Sequence, residues 1–453
     1  MKLSKVILTL ITVLLILGVI SLVFPKDGVT IGDVKLKFPT IEDIFFDSAP
    51  QYADIEQIIE EESEEPKQEK KVQRVKVKDG IVVNIELPED KPYYLDNLFE
   101  SLNNIEKKGD NVRIIHYGDS QIEGDRITSY LRKRLQSTFG GSGQGEIPLY
   151  SHSNIKNAII SYSDNCKFFS IIDTAKTSFR NFGLMQNAVV TNSDTARIDI
   201  KFIRPVAQNM TLYCRANSEN TVINVFSGTD LLKSYTFEKT HTLVGFSITH
   251  SAQVKSLRIE TVGETELYSL DLSEKNGIYV DNVPLRGSAG WGFTRNNSEF
   301  LAYMSEKLNV ILLILQFGVN AVPQDEEFVM DNYRFYETQL IRQVQFLQKT
   351  NPDAAIIIVG ISDRSRKKGD GYETNPNIPK ILAAQRQAAE KCGVAFWNLF
   401  DAMGGENSMP SWVLRERPLA NSDFIHFNAK GAEYVGEMFY KALENAYFDY
   451  QSR

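Results

Sequence analysis

The chain reads as an α/β protein: a doubly wound parallel sheet, interrupted by an inserted all-β sandwich and preceded by one transmembrane helix. Three observations predict this. Short strand-like runs, among them the continuously apolar Val310–Phe317, alternate with helical patterns on both sides of the chain's middle third, as strands of a parallel sheet covered on both faces do. Between about 151 and 285 the texture changes to short alternating runs with turn residues every ten residues or so, the pattern of a sandwich. At the N-terminus, Val6–Phe24 carries no charge and follows Lys2 and Lys5. A spanning helix needs about 20 apolar residues, and flanking positive charge stays in the cytoplasm.

Taken in order, residues 1–25 are expected to form the anchor and to leave the rest of the chain exported, with the main body on the extracytoplasmic (periplasmic) side of the cytoplasmic membrane. A cleavable signal peptide is the alternative. Its apolar stretch is ordinarily shorter and ends at a small-x-small site, which Leu22-Val23-Phe24-Pro25-Lys26 lacks. Residues 26–92 read as a stalk: the acidic run Glu56–Glu65 precedes the basic run Lys67–Lys78, and such charge blocks stay solvated and extended. Val29–Phe38 and Val75–Leu87 alternate enough to be strands within it.

Residues 93–150 begin the α/β domain. Tyr93–Lys108 has Leu95, Leu98, Phe99, Leu102 and Ile105 on one helical face. Val112–Tyr117 is a buried strand, and Ile122–Phe139 a helix with Ile127, Tyr130, Leu131 and Leu135 aligned. The glycine-rich Phe139–Gly145 lacks the order and context of a dinucleotide site and is expected to be a flexible loop beside the active site. Residues 151–285 hold the predicted sandwich strands Val189–Thr191, Ala196–Phe202, Met210–Arg215, Thr221–Ser227, Lys233–Glu238, Val244–Thr249, Val254–Thr261 and Glu266–Leu272. Residues 286–453 return to α/β alternation: strand Val310–Phe317, helix Phe328–Lys349, strand Ala354–Ile361, helix Ile378–Cys392, strand Val394–Asn398 and the terminal helix Ala429–Phe448.

Composition narrows the functional classes. The 453 residues suit two or three domains, and 42% hydrophobic residues with 26 Phe and 19 Tyr support sizeable cores. A net charge of −8 shows no nucleic-acid footprint. Cys166, Cys214 and Cys392 fit neither a zinc site nor a disulfide framework; Cys166 and Cys214 read as buried thiols, with pairing in an oxidising compartment as the alternative. No two of the five histidines have metal-ligand spacing, and neither metal nor cofactor is expected.

Chemistry concentrates at strand ends, where ligands sit in such sheets. Gly118-Asp119-Ser120-Gln121 follows the first strand, Gly287–Phe293 follows the strand-like Gly277–Val283, Gly318-Val319-Asn320 follows Val310–Phe317, and Asp423-Phe424-Ile425-His426 precedes the last helix. These residue types suit acyl transfer. Ser120 is the candidate nucleophile, His426 its base, and Asp423 the carboxylate that orients the imidazole and stabilises its cation. A tetrahedral intermediate also needs preorganised donors, for which the backbone N–H groups of Ser120 and Gly290 and the side-chain amide of Asn320 are the candidates. Taken singly, each motif has a structural reading: Gly-Asp-Ser as a turn, Asn320 as a loop cap, Asp423 as the N-cap of the last helix. Their joint order and placement favour catalysis. The absence of Gly-x-Ser-x-Gly excludes an α/β-hydrolase elbow.

The four blocks His116–Gln121, Gly287–Gly290, Gly318–Asn320 and Asp423–His426 together resemble the SGNH, or GDSL-type, hydrolase superfamily over about 93–150 and 286–450. Gly287, Gly290 and Gly292 compete within the glycine block, and Gly290 is chosen. Gln121 stands where the namesake leucine would, a change outside the triad. The layout is similar to the peptidoglycan O-acetylesterase branch, in which a carbohydrate-binding-like β-sandwich is inserted after the nucleophile block. Removing the insert leaves about 170 residues between Ser120 and His426, which suits one flavodoxin-like α/β domain. Phe396–Trp412, with Met403-Gly404-Gly405 and Trp412, also looks like this branch; Trp412 either lines the groove or packs beneath the loop. The resemblance implies a serine carbohydrate esterase that removes O-acetyl groups from an O-acetylated, peptidoglycan-like polysaccharide through an acetyl-serine. An O-acetyltransferase using the same triad and a non-catalytic glycan-binding protein are the alternatives. The sequence specifies neither the glycan, the acyl group nor the oligomeric state.

Overall fold

The computed structural model describes residues 82–453 except 110, 193, 207–208, 274–275 and 326, together with 9, 12, 17–20, 24–25, 29–31, 34–36 and 52–53. The chain forms two compact units, 1–51 with 369–371, and 52–368 with 372–453. In the first, Val29–Ile31 pairs antiparallel with Val34–Leu36. The anchor expected over Val6–Phe24 and most of the stalk lie outside the described residues. Among the described residues, no helix is long and apolar enough to cross a membrane.

The second unit is built on five strands, β1 (Asn111–Gly118), β2 (Gly277–Pro284), β3 (Val310–Gln316), β4 (Ala355–Val359) and β5 (Ala395–Trp397). All pair parallel, in the order β2-β1-β3-β4-β5. Among the described residues, six helices of ten or more residues flank them: α1 (Asp96–Lys108), α2 (Thr128–Phe139), α3 (Ser298–Lys307), α4 (Arg334–Thr350), α5 (Ile378–Cys392) and α6 (Ala429–Gln451). Side chains of a strand alternate between faces, so β1 sends Val112 and Ile114 to one side and Ile115 and Tyr117 to the other. The first pair packs with Leu98, Leu102, Leu131, Phe439 and Leu443 of α1, α2 and α6. The second packs with Leu301, Leu340, Val344, Ile381 and Ala388 of α3, α4 and α5. Both faces are therefore dry, which is why these strands read as apolar runs.

Between α2 and β2 the chain makes the two antiparallel sheets of a sandwich. One carries Asp230–Thr236, Val222–Ser227, Val254–Val262, Ala196–Val206 and Ala158–Tyr162 in spatial order. The other carries Leu243–Thr249, Asn209–Ala216, Thr265–Asp271, Asn187–Thr191 and Cys166–Ser170, with Glu146–Pro148 also on Thr265–Asp271. Ile198, Ile200, Ile223 and Val225 of the first meet Leu212, Ile248, Leu267 and Leu270 of the second in one core. Cys166 and Cys214 are buried free thiols.

Several expectations shift. Gly277–Pro284, assigned to the insert by the 151–285 boundary, pairs with β1 residue for residue and belongs to the parallel sheet. Glu146–Pro148, assigned to the α/β part, pairs with the sandwich. The single helix expected over Ile122–Phe139 divides into a 3-10 turn, Ser120–Asp125, and α2, because Gly124 (φ +69°) and Asp125 (φ +60°) take left-handed backbone. Arg132 holds the Asp125 carboxylate there with two bonds of 2.8 and 3.0 Å. The helix expected from Phe328 starts at Arg334, since the Asn377 side chain accepts the Met330 N–H and donates to the Phe328 carbonyl, holding that stretch out of the helix. The glycine-rich loop is not beside the active site: the Gly140 carbonyl accepts the Ile278 N–H at 3.1 Å, at the start of β2 and the opposite end of the sheet from Ser120.

One buried ionic cluster ties the sandwich to the sheet. Arg113 of β1 donates to Asp281 of β2 at 2.6 Å and to Asp271 of the sandwich at 2.7 Å. Glu146 lies 3.9 Å from the same guanidinium, gives its N–H to Asp281 and accepts from the Ser269 hydroxyl. Burial would depress Arg113, but the surrounding carboxylates outweigh it and hold its pKa well above the ordinary value. Three carboxyls share one cation, and burial with the Asp281 and Asp271 charges pushes Glu146 from 4.5 up to about 8, against the pull of Arg113. The folded protein thus keeps a proton that the unfolded chain has released between pH 4.5 and about 8, and stability falls as pH rises through that window. Glu146→Gln removes the proton uptake, so urea unfolding of this variant should show a flatter pH dependence from pH 5 to 8 than the parent. An unchanged slope would assign the pH dependence elsewhere.

Candidate active site

Register sets the site. Gly118 at the end of β1 lies level with Pro284 of β2 and Gln316 of β3, so three polar segments leave the sheet in one row. The strand order reverses direction between β1 and β3, the switch point at which such sheets open a crevice. Ser120 begins the 3-10 turn two residues beyond β1. The buried Asp119 carboxylate accepts the Gln121 N–H at 3.0 Å and also the N–H groups of Gly318 and Val319, joining the nucleophile segment to the one after β3. Burial pushes Asp119 from 3.8 up to about 7, against those three hydrogen bonds.

The second half of the site comes from the turn before α6. Asn428 caps that helix by accepting the Gly431 N–H at 3.0 Å, so Asp423 is free of capping. Phe424 takes left-handed backbone (φ +56°), which costs an L-residue about 1–2 kcal/mol. Its ring stacks on Tyr372 with centroids 3.6 Å apart, and its carbonyl accepts the Ser365 N–H at 3.1 Å. The sharp turn folds Asp423 back under His426. Asp423 Oδ2 accepts from His426 Nδ1 at 2.8 Å, and Oδ1 accepts the N–H groups of Ile425 and His426 at 2.9 and 3.0 Å. Partial burial pushes this carboxyl up, but the bonds from His426 and Ile425 outweigh it and leave it below its ordinary value. An ionised carboxylate only accepts, so Nδ1 carries the proton and Nε2 offers its lone pair to Ser120 Oγ, 2.7 Å away.

The structure thus joins Ser120, His426 and Asp423 in one hydrogen-bonded line. It joins Gly290 and Asn320 to each other through Ser288: Gly290 N–H donates to Ser288 Oγ and Asn320 Nδ2 donates to the Ser288 carbonyl, both at 3.1 Å. Leu285 N–H donates to the Gly118 carbonyl at 2.7 Å and fixes this segment to the end of β1. Gly290 is at φ +92°, and a Cβ there would press to 3.2 Å on the Phe317 ring, so the close approach requires glycine. Trp412 is fully buried against Phe427, with its Nε1 donating to the Met403 carbonyl at 2.9 Å. It packs under the triad loop and lines no groove.

Sequence reasoning missed Ser288, Arg126 and the aromatics nearest the rim. Arg126 donates to the carbonyls of Ser120 (2.8 Å) and Phe427 (2.7 Å), tying nucleophile and base segments through one guanidinium. Trp291, next to Gly290, is 39% exposed and meets the 66% exposed Phe335 edge to face, with centroids 5.8 Å apart. Gly-Ser-Ala-Gly-Trp was read for its glycines alone, and Phe335 lies on a helix distant in sequence.

The model of the GDSL-like Lipase/Acylhydrolase family matches residues 244–434, a stretch that contains Gly290, Asn320, Asp423 and His426 but begins after Ser120. Over that stretch the chain is similar to the hydrolase family. A solved peptidoglycan O-acetylesterase shares the fold, with 20% identity, a TM-score of 0.63 and coverage of 78% of this chain and 96% of that one. A family two carbohydrate esterase from Cellvibrio japonicus matches at 10% identity and a TM-score of 0.26, over 65% of this chain and 99% of that one, too distant to argue from. A search of curated proteins found no match.

His426→Ala removes the only group within hydrogen-bonding distance of Ser120 Oγ among the described contacts. It should keep the far-UV circular dichroism of the parent and lower ester turnover roughly 10²–10⁴-fold. Turnover within a few-fold of the parent would disprove the assignment of the base.

Proposed function

We propose that this protein is a serine carbohydrate esterase that removes O-acetyl groups from a cell-envelope or extracellular, peptidoglycan-like polysaccharide. The observation that carries the proposal is the line Ser120 Oγ to His426 Nε2 to Asp423, at 2.7 and 2.8 Å. In this reading His426 takes the Ser120 proton as Oγ attacks the acetyl carbonyl. The oxyanion forms against the N–H of Ser120 and the Asn320 amide, whose other N–H is held by the Ser288 carbonyl; the Gly290 N–H, which here donates to Ser288 Oγ, turns from that hydroxyl to join them. His426 then protonates the departing sugar oxygen, leaving acetyl-Ser120. Water, deprotonated by His426, attacks the acetyl group and releases acetate and free Ser120.

The sugar is placed by aromatic surface. Trp291 and Phe335 form an exposed corner beside Gly290, and the C–H face of a pyranose packs on such rings. The uncharged Val6–Phe24 behind Lys2 and Lys5 supports an anchor that holds the esterase on the extracytoplasmic face of the membrane. Sedimentation of the full chain with membranes, and digestion of its esterase by protease added outside spheroplasts, are the expected signs of that location; recovery in the soluble cytoplasm would refute it.

The activity is tested by offering the full chain O-acetylated glycan and an aryl acetate. Acetate release that disappears in Ser120→Ala is expected. Acetyl transfer to an added sugar in excess of hydrolysis would replace the esterase with a transferase, and no reaction on any ester would end both readings. Trp291→Ala separates the glycan contact from the chemistry: KM for the acetylated glycan should rise about tenfold, the scale of one lost aromatic contact of about 1.4 kcal/mol, while kcat/KM for the aryl acetate stays near the parent's. Equal losses on both substrates would mean that Trp291 shapes the loop and does not hold the sugar.

A further inference from the structure

His426 is flanked in the chain by Ile425 and Phe427, and one side chain holds both. Gln121 Nε2 donates to the Ile425 carbonyl at 2.7 Å, and Gln121 Oε1 accepts the Phe427 N–H at 3.3 Å. The remaining Nε2 proton goes to Ser362 Oγ at 3.2 Å, just past β4. The side chain is 2% exposed, so it reaches no substrate. It follows the nucleophile directly in the chain, and Arg126, five residues on, adds the bond to the Phe427 carbonyl while holding that of Ser120. Apart from the His426–Ser120 bond itself, the turn that carries His426 is bonded within itself, by Asn421 N–H to the His426 carbonyl at 2.8 Å, and to the segment after β4, by Ser365 N–H to the Phe424 carbonyl. The bonds from Gln121 and Arg126 are what refer it to Ser120.

We infer that Gln121 is a positioning residue that sets the separation of Ser120 and His426 by clamping the backbone on both sides of the imidazole, with Arg126 as the second arm. Only a side chain with a donor and an acceptor on one head group makes this clamp, which an aliphatic residue at this position cannot. The inference rests on the proposed serine-esterase reading. Near-attack geometry is sensitive to shifts of about 1 Å, so loss of the clamp should appear in kcat and leave KM alone.

Two variants test it in the full chain. Gln121→Leu keeps most of the volume and removes both bonds; kcat for an aryl acetate should fall about 10–100-fold with KM unchanged, and modification of Ser120 by an alkyl fluorophosphonate should slow by the same factor. Gln121→Glu is the control for folding. When protonated, its carboxyl donates to Ile425 and accepts from Phe427; when ionised, it can only accept and is repelled by the Ile425 carbonyl. Its activity relative to the parent should therefore recover at least about tenfold as pH is lowered from 8 to 5.5, which a purely structural defect would not do. The inference is overturned if Gln121→Leu stays within about twofold of the parent in kcat and labelling, if KM rises while kcat holds, or if the ratio for Gln121→Glu is flat with pH. Failure of the parent itself to react with either probe would defeat the esterase reading instead. The downfield proton signal of His426 Nδ1–H, expected sharp in the parent and broadened in Gln121→Leu, judges the clamp in that case; identical signals in the two would overturn it.

Discussion

The parallel pairing of β1 between β2 and β3 is the constraint on which the rest depends. It places Gly118, Pro284 and Gln316 at one level, so that the segments carrying Ser120, Gly290 and Asn320 leave the sheet together. Those segments then bond to one another rather than to solvent: Asp119 to Gly318 and Val319, Leu285 to Gly118, Asn320 to Ser288. Buried backbone groups must find partners, and here the partners are the neighbouring site segments. The site is a consequence of register, and a slip of one residue would turn every strand side chain to the opposite face.

The sandwich interrupts this domain without disturbing it because it leaves after α2 and returns as β2, at the sheet edge. Its attachment combines an apolar contact, in which Tyr213, Leu243 and Tyr268 of the sandwich pack with Tyr117, Phe300 and Met304 of the α/β part, with a buried polar one. Arg113 reaches from β1 across β2 to the sandwich strand Thr265–Asp271, and the carboxyls around it outnumber it. Such buried pairs seldom add net stability over an apolar contact, but removing one partner leaves a buried charge uncompensated, at a cost of about 3–5 kcal/mol. The cluster is best understood as specifying how the insert docks. Glu146 is raised to about 8 by its burial and by the Asp281 and Asp271 charges, which the one guanidinium does not offset.

Two carboxyls near the nucleophile are driven in opposite directions. Asp119, buried beside Ser120, is raised towards neutrality, whereas Asp423, partly open to solvent and bonded by His426, is lowered. The difference lies in burial and not in residue type: three backbone N–H bonds fall short of the desolvation at Asp119, and similar bonds exceed it at Asp423. The outcome leaves one dependable negative charge in the line, on the outer side of the imidazole, the side on which the proposed mechanism needs it.

The sequence by itself determined the fold class, because continuous apolar runs and strict alternation are separate signatures of buried parallel strands and half-buried sandwich strands. Helix α5 was legible to the residue, since Pro379 opens it and Gly393, at φ +60°, closes it. The hydrogen-bonded line of Ser120, His426 and Asp423 was legible because Ser120 and Asp423-x-x-His426 occupy element ends with residue types that pair in this way. Only the tertiary structure decided the rest. Strand Gly277–Pro284 was credited to the insert because its neighbour along the chain is the sandwich, while its partner in space is β1. Trp412 proved a support and Trp291 an exposed face, a distinction set by what packs against each and not by local pattern. Gln121 looked like a neutral departure from a motif, because its bonds run to residues 304 and 306 positions away. Local periodicity records which face of an element is buried. Hydrogen bonds between segments far apart in sequence leave no such trace, and in this protein they hold Ser120 and His426 in place.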